Sequence, residues 1–293
     1  MTNSIADMEQ SECFLITGTN TTENHPVIST FIKRAVTQRN AKLILADPRN
    51  IDLAKFATVW LRQKPGTDIA WINGIMNVII SEGLHNQEFI AERTENFDAV
   101  KEAVKKYTPE YVEKITGIPS EDLKTAARIY AKAGAASIVY AMGITQHITG
   151  TDNVKSLANL AMLTGNIGRP GTGVNPLRGQ NNVQGACDMA CLPGNLPGYK
   201  KVTEIADRKP FEDAWKVALP SSPGLTLPKI IEGAAKGTVK ALYVMGENPM
   251  MSDPDITHVE KALKNLDLLI VQDIFLNETT EIAHVVLPTA AWA

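Results

Sequence analysis

The feature that most constrains the fold is the spacing of apolar residues, which changes repeatedly along the chain. Short runs of apolar residues alternate with longer stretches in which apolar residues recur every three or four positions. The run at 13–16 and the stretch at 67–80 are clear examples of the two patterns. This alternation predicts strand–helix units that stack into a mainly parallel sheet. We therefore expect an α/β protein.

Turn and cap signals place further elements. Pro26 suits the first turn of a helix because its missing N–H costs nothing there. The remaining predictions are strands at 43–45 and 138–140, a helix at 152–163, and a second series with helices at 227–235 and 256–263 and strands at 241–244, 268–271 and 284–287. Residues 165–200 are rich in Gly, Pro and Asn with little periodicity, which predicts a long ordered loop or an interdomain passage.

Length and charge limit the classes of function. A chain of 293 residues is long enough for two domains or one large α/β unit. The net charge is −3 and basic residues are scattered, so we expect neither nucleic acid nor an anionic membrane as a partner. No apolar run approaches membrane-spanning length, and the polar N-terminus does not resemble a targeting signal. We expect a cytoplasmic protein, and its odd count of three cysteines argues against a disulfide framework.

Three polar turns follow predicted strands, at 18–22, 142–146 and 245–249. Parallel sheets bind ligands at the carboxyl ends of their strands, and backbone N–H groups in such turns attract phosphate. Each turn alone is equally well explained as a simple connector. None matches a complete dinucleotide fingerprint or P-loop, so ordinary NAD or ATP binding is not predicted.

Acidic residues also follow two predicted strands. Asp47, and later the pair Gln272-Asp273, occupy positions from which a carboxylate can accept bonds from a ribose or a guanine edge. The alternative is that each Asp only caps the turn that follows its strand.

The most specific stretch is 175–189, in which many side-chain amides surround Arg178. Donors of this density are costly to bury unless a ligand satisfies them. This stretch resembles the motif of formate dehydrogenase catalytic subunits in the bis-molybdopterin guanine dinucleotide oxidoreductase family. The likeness extends over essentially the whole chain, including the segments 18–26, 47–49, 142–146, 161–166, 245–249 and 272–275.

The resemblance implies a fold and a reaction. It implies two Rossmann-like three-layer domains with mainly parallel sheets: residues 1–180 bind one molybdopterin guanine dinucleotide (MGD), and residues 181–293 form a second, incomplete MGD-binding domain. It implies a bis-MGD cofactor with Mo or W, and oxidation of formate to carbon dioxide with transfer of two electrons. The implied partners are formate and iron–sulfur or flavin electron-transfer subunits, without nucleic acid or direct membrane insertion.

The resemblance also assigns residues. Arg178 matches the family's active-site arginine, and its planar fork suits a carboxylate; the alternative is an interdomain salt bridge. The cofactor contacts carried over from the family are Gly18, Asn20, Asp47, Arg49, Met142, Gln146, Gly179, Gln180, Asn182, Gly246, Glu247, Gln272 and Asp273. Alternative functions are another molybdopterin oxidoreductase, of the nitrate reductase or complex I type, and a non-catalytic nucleotide-binding module.

No residue is predicted to bind a metal. His25 can act as a ligand, but a His beside Pro at a helix start favours a local cap. Cys187 and Cys191 are four apart without a second Cys or His pair, which favours packed or idle thiols over a metal site. The family's four-cysteine [4Fe-4S] segment and its Cys/selenocysteine–His metal ligand do not occur in these residues, and Cys13, inside a strand, does not replace them. We therefore expect an internal fragment that binds pterin dinucleotide weakly, if it binds the cofactor at all, and does not oxidise formate by itself.

Overall fold

A computed structural model describes residues 1–180 and 182–291. It divides the chain into two compact units, residues 1–181 (unit 1) and 182–293 (unit 2).

Unit 1 alternates strands and helices. Its strands are β1 (Cys13–Thr17), β2 (Lys42–Ala46), β3 (Val59–Leu61), β4 (Ala136–Tyr140) and β5 (Gly173–Pro176). Its helices are α1 (Thr21–Asn24), α2 (Pro26–Arg39), α3 (Asp68–Ser81), α4 (Gln87–Arg93), α5 (Phe97–Val104), α6 (Pro109–Thr116), α7 (Ser120–Lys132), α8 (Met142–Thr145) and α9 (Gly150–Leu163).

The five strands of unit 1 form one parallel sheet in the order β3-β2-β1-β4-β5. Alternate residues of β1 enter two different cores: Leu15 packs in the cluster that contains Trp71, and Phe14 packs in the cluster that contains Ile32. Helices therefore cover both faces of the sheet, and all five residues of β1 are buried. This explains why the central strands read as continuous apolar runs.

Unit 2 contains a smaller parallel sheet. The strands of unit 2 are β6 (Asn195–Leu196), β7 (Lys200–Lys201), β8 (Ala241–Met245), β9 (Leu268–Asp273) and β10 (Val285–Pro288). Of these, β6 and β7 form a separate antiparallel pair. The helices of unit 2 are α10 (Val183–Asp188), α11 (Ile205–Trp215), α12 (Leu227–Ala235), α13 (Pro249–Ser252), α14 (Ile256–Lys264) and α15 (Glu278–Glu281). The sheet order is β10-β9-β8, all parallel. Helices α12 and α14 pack on the face that carries Val244 and Leu269, whereas Tyr243 and Leu287 are exposed.

The α/β class with mainly parallel sheets is confirmed. The boundary between the two units lies within residues 165–200, which were predicted as a long loop or an interdomain passage, but the prediction of one long loop was wrong. Residues 165–200 are not one long loop, because Gly173–Pro176 pairs with β4 and Val183–Asp188 is helical. A four-residue edge strand with Gly and Pro gives no periodic signal, and Pro is tolerated there since an edge leaves N–H groups unpaired. Strand β3 and helix α11 were missed; β3 is only three residues long. Within 1–180 and 182–291, no helix has the length and apolarity needed to cross a bilayer.

Two glycines bring the turns after β1 and β4 into direct backbone contact. The N–H of Gly143 donates to the carbonyl of Gly18 at 3.0 Å. A Cβ on Gly143 would lie 2.6 Å from Gly18 Cα, and Gly18 itself has a φ of +57°, which favours glycine. The two turns can approach this closely only because neither residue has a side chain.

We predict that Gly143→Ala destabilises the chain by about 1–3 kcal/mol, because the added methyl group must push two backbones apart. The midpoint of urea unfolding should fall. Gly179→Ala is the matched control, since a Cβ at Gly179 meets no atom within 4 Å. Equal midpoints for Gly143→Ala and the unmodified chain would show that the turns do not depend on this contact.

Candidate functional site

A cavity of about 590 Å³ opens at the carboxyl edge of the unit 1 sheet. The turns after β1, β2, β4 and β5 all contribute to it, with additional residues from the segment between β3 and α3. Strand order reverses between β1 and β4, and open α/β sheets bind ligands at this type of position. The volume is in the range of roughly 300–1,000 Å³ that small molecules and cofactors occupy.

Several polar atoms at the cavity are buried without a hydrogen-bond partner. Among the described residues these include Thr19 Oγ1, Asn20 Oδ1 and Gln63 Oε1, all from residues that line the cavity. Each such atom costs about 1–3 kcal/mol relative to a satisfied one. Nearly all buried polar groups in folded proteins have partners, so a cluster of exceptions needs an explanation. A polar ligand in the cavity provides it.

Asp47 is the acidic group of the cavity. It is 7% exposed, and its Oδ1 accepts from the N–H of Arg49 at 2.8 Å. The predicted turn cap is therefore present, but it uses one carboxylate oxygen, and Oδ2 has no hydrogen bond to a described residue. Burial raises the pKa of Asp47 above its ordinary value, against the opposing effect of the Arg49 N–H and guanidinium. A ligand donor at Oδ2 would offset this cost.

Sequence reasoning missed three polar residues of the lining, which lie outside the segments where cofactor contacts were predicted: Gln63, Asp68 and His147. Asp68 is 5% exposed at the start of α3, and its Oδ2 lies 3.8 Å from His147 Nε2, which also contacts the Gly143 carbonyl at 3.0 Å. Gln63 follows β3, so recognising that strand would have marked it as a strand-end polar residue. Asp68 and His147 gave no comparable signal, since each belongs to a different segment and only the fold joins them.

Arg178 follows the last paired residue of β5. The N–H of Leu177 donates to the carbonyl of Tyr140 at 2.7 Å, and the chain then leaves the sheet. Arg178 is exposed, and its guanidinium makes no hydrogen bond or ion pair within the described part of the chain. Its charge opposes the burial that raises the pKa of Tyr140. Leu177 and Gly179 line the cavity, but the Arg178 side chain is not part of that lining.

His25 is the N-cap residue of α2, as predicted, but its side chain takes no part in the cap. Instead, Nε2 lies 2.6 Å from the carbonyl oxygen of Arg178. The loop between α1 and α2 directs the ring to the main chain after β5, because the carboxyl ends of β1 and β5 share one edge of the sheet.

The predicted cofactor contacts fall into three groups. Those that line the cavity are Gly18, Asn20, Asp47, Arg49, Met142 and Gly179. Gln146 and Gln180 are exposed in unit 1 outside the lining. The rest belong to unit 2: Asn182, Gly246, Glu247, Gln272 and Asp273. Asn182 heads α10 and accepts from the Gly185 N–H at 3.0 Å.

In unit 2, the turns after β8 and β9 lie side by side. The N–H of Gly246, whose φ is +64°, donates to the Gln272 carbonyl at 2.8 Å. The Asp273 carboxylate accepts from the N–H of Phe275 at 3.2 Å, so it caps its own turn. Glu247 is exposed beside Gly246. Unit 2 thus repeats the pairing of two strand-end turns found in unit 1.

The cysteines are free thiols. Cys13 is buried in β1, and burial raises its pKa to about 12, so it holds its proton at neutral pH. Cys187 is half-buried and Cys191 is exposed. Residues 1–180 and 182–291 contain no group of three or more His, Cys, Asp or Glu arranged to hold a metal ion.

The fold and the cavity define a class: α/β proteins that bind a polar cofactor at the carboxyl edge of a parallel sheet. Comparison with known proteins identifies the family within this class: residues 1–293 match the family described as "Molybdopterin oxidoreductase". The chain belongs to that family. Family membership implies a molybdopterin cofactor with Mo or W, and the unpartnered donors and acceptors of the cavity fit a large polar cofactor.

Similar proteins include formate dehydrogenase subunits. The chain is 56% identical, over its whole length, to the F420-dependent formate dehydrogenase subunit alpha of Methanocaldococcus jannaschii, and covers 43% of that protein. It is 44% identical over its whole length to formate dehydrogenase H of Escherichia coli, covering 41% of it. The structure of acetylene hydratase from Pelobacter acetylenicus superposes with a TM-score of 0.76 at 25% identity, over 99% of this chain and 42% of that one. The chain thus spans less than half the length of these relatives.

We predict that Asp47→Asn stabilises the cofactor-free chain at pH 7. A raised folded-state pKa means that the unfolded state ionises first as pH rises, so the ionised carboxylate costs stability above the unfolded pKa of about 3.9. Asn keeps the bond to the Arg49 N–H without the charge. Urea midpoints of both proteins should differ at pH 7 and converge below about pH 3.9. A lower midpoint for Asp47→Asn at pH 7 would contradict this account.

Proposed function

We propose that the chain is part of the catalytic subunit of a molybdenum or tungsten formate dehydrogenase, and that unit 1 binds the nucleotide part of one MGD. The names of two relatives support the substrate, since the proteins from Methanocaldococcus jannaschii and Escherichia coli, 56% and 44% identical to the chain, are named formate dehydrogenases. The observation that carries the proposal is the set of buried, unpartnered polar atoms around the cavity at the strand-order reversal. Buried polar atoms without protein partners cost stability, and a ligand that hydrogen-bonds to them explains why they are there.

Individual residues of unit 1 have distinct tasks toward the dinucleotide. Asn20 and Gln63 offer amide groups, and Asp47 offers a carboxylate oxygen suited to the paired N–H donors of a guanine edge. Gly18 and Gly143 let the backbones of two turns approach the ligand without side chains in the way. Gly246, Glu247, Gln272 and Asp273 are the corresponding set of unit 2 for a second MGD.

The reaction proposed is the oxidation of formate to carbon dioxide. The bound metal–pterin supplies the two-electron chemistry. Arg178 binds the formate carboxylate: its guanidinium is exposed and uncommitted among the described residues, and its planar fork holds a carboxylate through two parallel bonds. A fixed carboxylate leaves the C–H bond of formate as the part free to react.

The proposed enzyme needs more than these residues. It needs a metal ligand and a [4Fe-4S] segment, and neither the four-cysteine motif nor the Cys/selenocysteine–His motif occurs among these 293 residues. Iron–sulfur or flavin subunits receive the electrons, and the assembly works in the cytoplasm. The chain alone then holds part of the cofactor cradle and does not oxidise formate.

We predict that Arg178→Ala in the full-length subunit raises the KM for formate roughly 10- to 100-fold, since a charge-assisted pair is lost. The KM of Arg178→Lys should lie between those of the unmodified enzyme and Arg178→Ala, because lysine keeps the positive charge but lacks the planar guanidinium. Steady-state formate oxidation with a viologen acceptor measures this. Arg93→Ala, at an exposed arginine of α4, is the control and should not change KM. A KM unchanged in Arg178→Ala would remove the formate-binding role.

We predict that the purified 293-residue chain carries guanine dinucleotide only in small amounts and reduces no viologen with formate. Mass spectrometry of released small molecules measures the first, and a viologen assay measures the second. Asp47→Asn should lower the amount of bound nucleotide further. The Asn side chain faces the guanine N–H groups either with its NH₂ group, which cannot accept their hydrogen bonds, or with its carbonyl oxygen, which is a weaker acceptor than a carboxylate. Oxidation of formate by this chain alone would contradict the proposal that catalysis needs residues other than these 293.

A further inference from the structure

The region around Arg178 has few restraints of its own. After Leu177 the chain leaves the sheet, and residues 178–180 are exposed. Among the described residues, the contact from His25 is the one hydrogen bond that these three residues make. A flexible side chain on an untethered backbone would lose entropy each time it bound a ligand.

The donor and the acceptor in the contact between His25 and Arg178 follow from the chemistry of the two groups. A carbonyl oxygen only accepts, so Nε2 of His25 carries the proton and donates to Arg178. In the neutral ring, Nδ1 is then an acceptor; it is buried and has no partner among the described residues. His25 is therefore a donor toward the Arg178 main chain and also part of the cavity lining.

The position of the ring is itself well determined. His25 lies at the junction between α1 and α2, with a φ of −139° and a ψ of 58°. Its own N–H donates to the Thr21 carbonyl at 3.0 Å, and its carbonyl accepts from Ser29 at 2.9 Å. Both main-chain groups are held by helices, so the imidazole projects from a rigid base. A rigid donor meeting an otherwise unrestrained carbonyl is the arrangement of a positioning residue.

We propose that His25 is a positioning residue for Arg178: its Nε2–H holds the Arg178 carbonyl so that the guanidinium is presented to the substrate carboxylate. This inference rests on the proposed function, in which Arg178 binds formate. His25 does not touch the substrate in this account. It acts by reducing the freedom of the segment that carries the arginine.

The first test uses the cofactor-free 293-residue chain and does not require activity. Trypsin cleaves after arginine, and the carbonyl that His25 holds belongs to the Arg178–Gly179 peptide bond. Removing one hydrogen bond in His25→Leu should speed cleavage at this bond roughly two- to tenfold. His25→Gln keeps an N–H donor of similar reach and should restore most of the protection. His258→Leu, at an exposed histidine of α14, should leave the rate unchanged.

The second test uses the full-length enzyme and measures KM and kcat separately. His25→Leu should raise the KM for formate roughly two- to tenfold in the protein that retains its metal and guanine nucleotide, with kcat normalised to the content of both and with recovery of KM in His25→Gln. In an Arg178→Ala background, His25→Leu should have no further effect on KM, because it acts through the arginine. Additive effects of the two changes would overturn the proposal, as would equal tryptic cleavage in His25→Leu and the unmodified chain.

The two tests separate this inference from the proposed function. If Arg178→Ala leaves KM unchanged but His25→Leu speeds tryptic cleavage, the tether exists and the formate role fails. If Arg178→Ala raises KM but cleavage is unaffected by His25→Leu, the formate role stands and the tether fails. Urea midpoints check folding, and His25→Asn, which is polar but too short to reach the carbonyl, replaces His25→Leu if the leucine variant unfolds.

Discussion

The close approach of Gly18 and Gly143 is the constraint on which the unit 1 site depends. Their backbones meet at 3.0 Å between donor and acceptor, at the point where the strand order reverses. A side chain at either position would separate the turns that follow β1 and β4. With the turns together, the residues after four parallel strands converge on one cavity. The sheet thus determines where ligand groups lie, and two missing side chains determine how closely they can gather.

The residues that line the cavity lower the stability of the protein when no ligand is bound. Thr19, Asn20 and Gln63 each bury a polar atom without a partner, and Asp47 is held in an environment that raises its pKa. Core positions such as Phe14, Leu15 and Ile16 show the opposite behaviour, since they are fully buried and apolar. Selection for stability alone would remove the polar exceptions. Their concentration at one edge of the sheet marks the part of unit 1 that is built for a ligand.

The sequence predicted some elements well and others poorly, for physical reasons. Strands β1, β2 and β4 are central and buried on both faces, so their apolar runs are unmistakable. Strands β3 and β5 lie at the edges, with three and four residues, and depend on neighbours for their hydrogen bonds. Gly18, Asn20 and Asp47 could be found because they directly follow strong strands. Asp68 and His147 could not, since their proximity exists only after folding.

His25 shows how a local interpretation can fail at a functional site. A histidine before proline at a helix start satisfies the sequence rule for a cap, yet its side chain reaches a residue 153 positions away. Local rules describe the competition between a side chain and its own turn, and here a tertiary partner wins. The two aspartates that follow strands differ in the same way. The Asp273 carboxylate accepts hydrogen bonds within its own turn, whereas Asp47 keeps one carboxylate oxygen available at the cavity. Equivalent sequence positions therefore differ in what they can offer a ligand, and only the surrounding fold decides which of them is used.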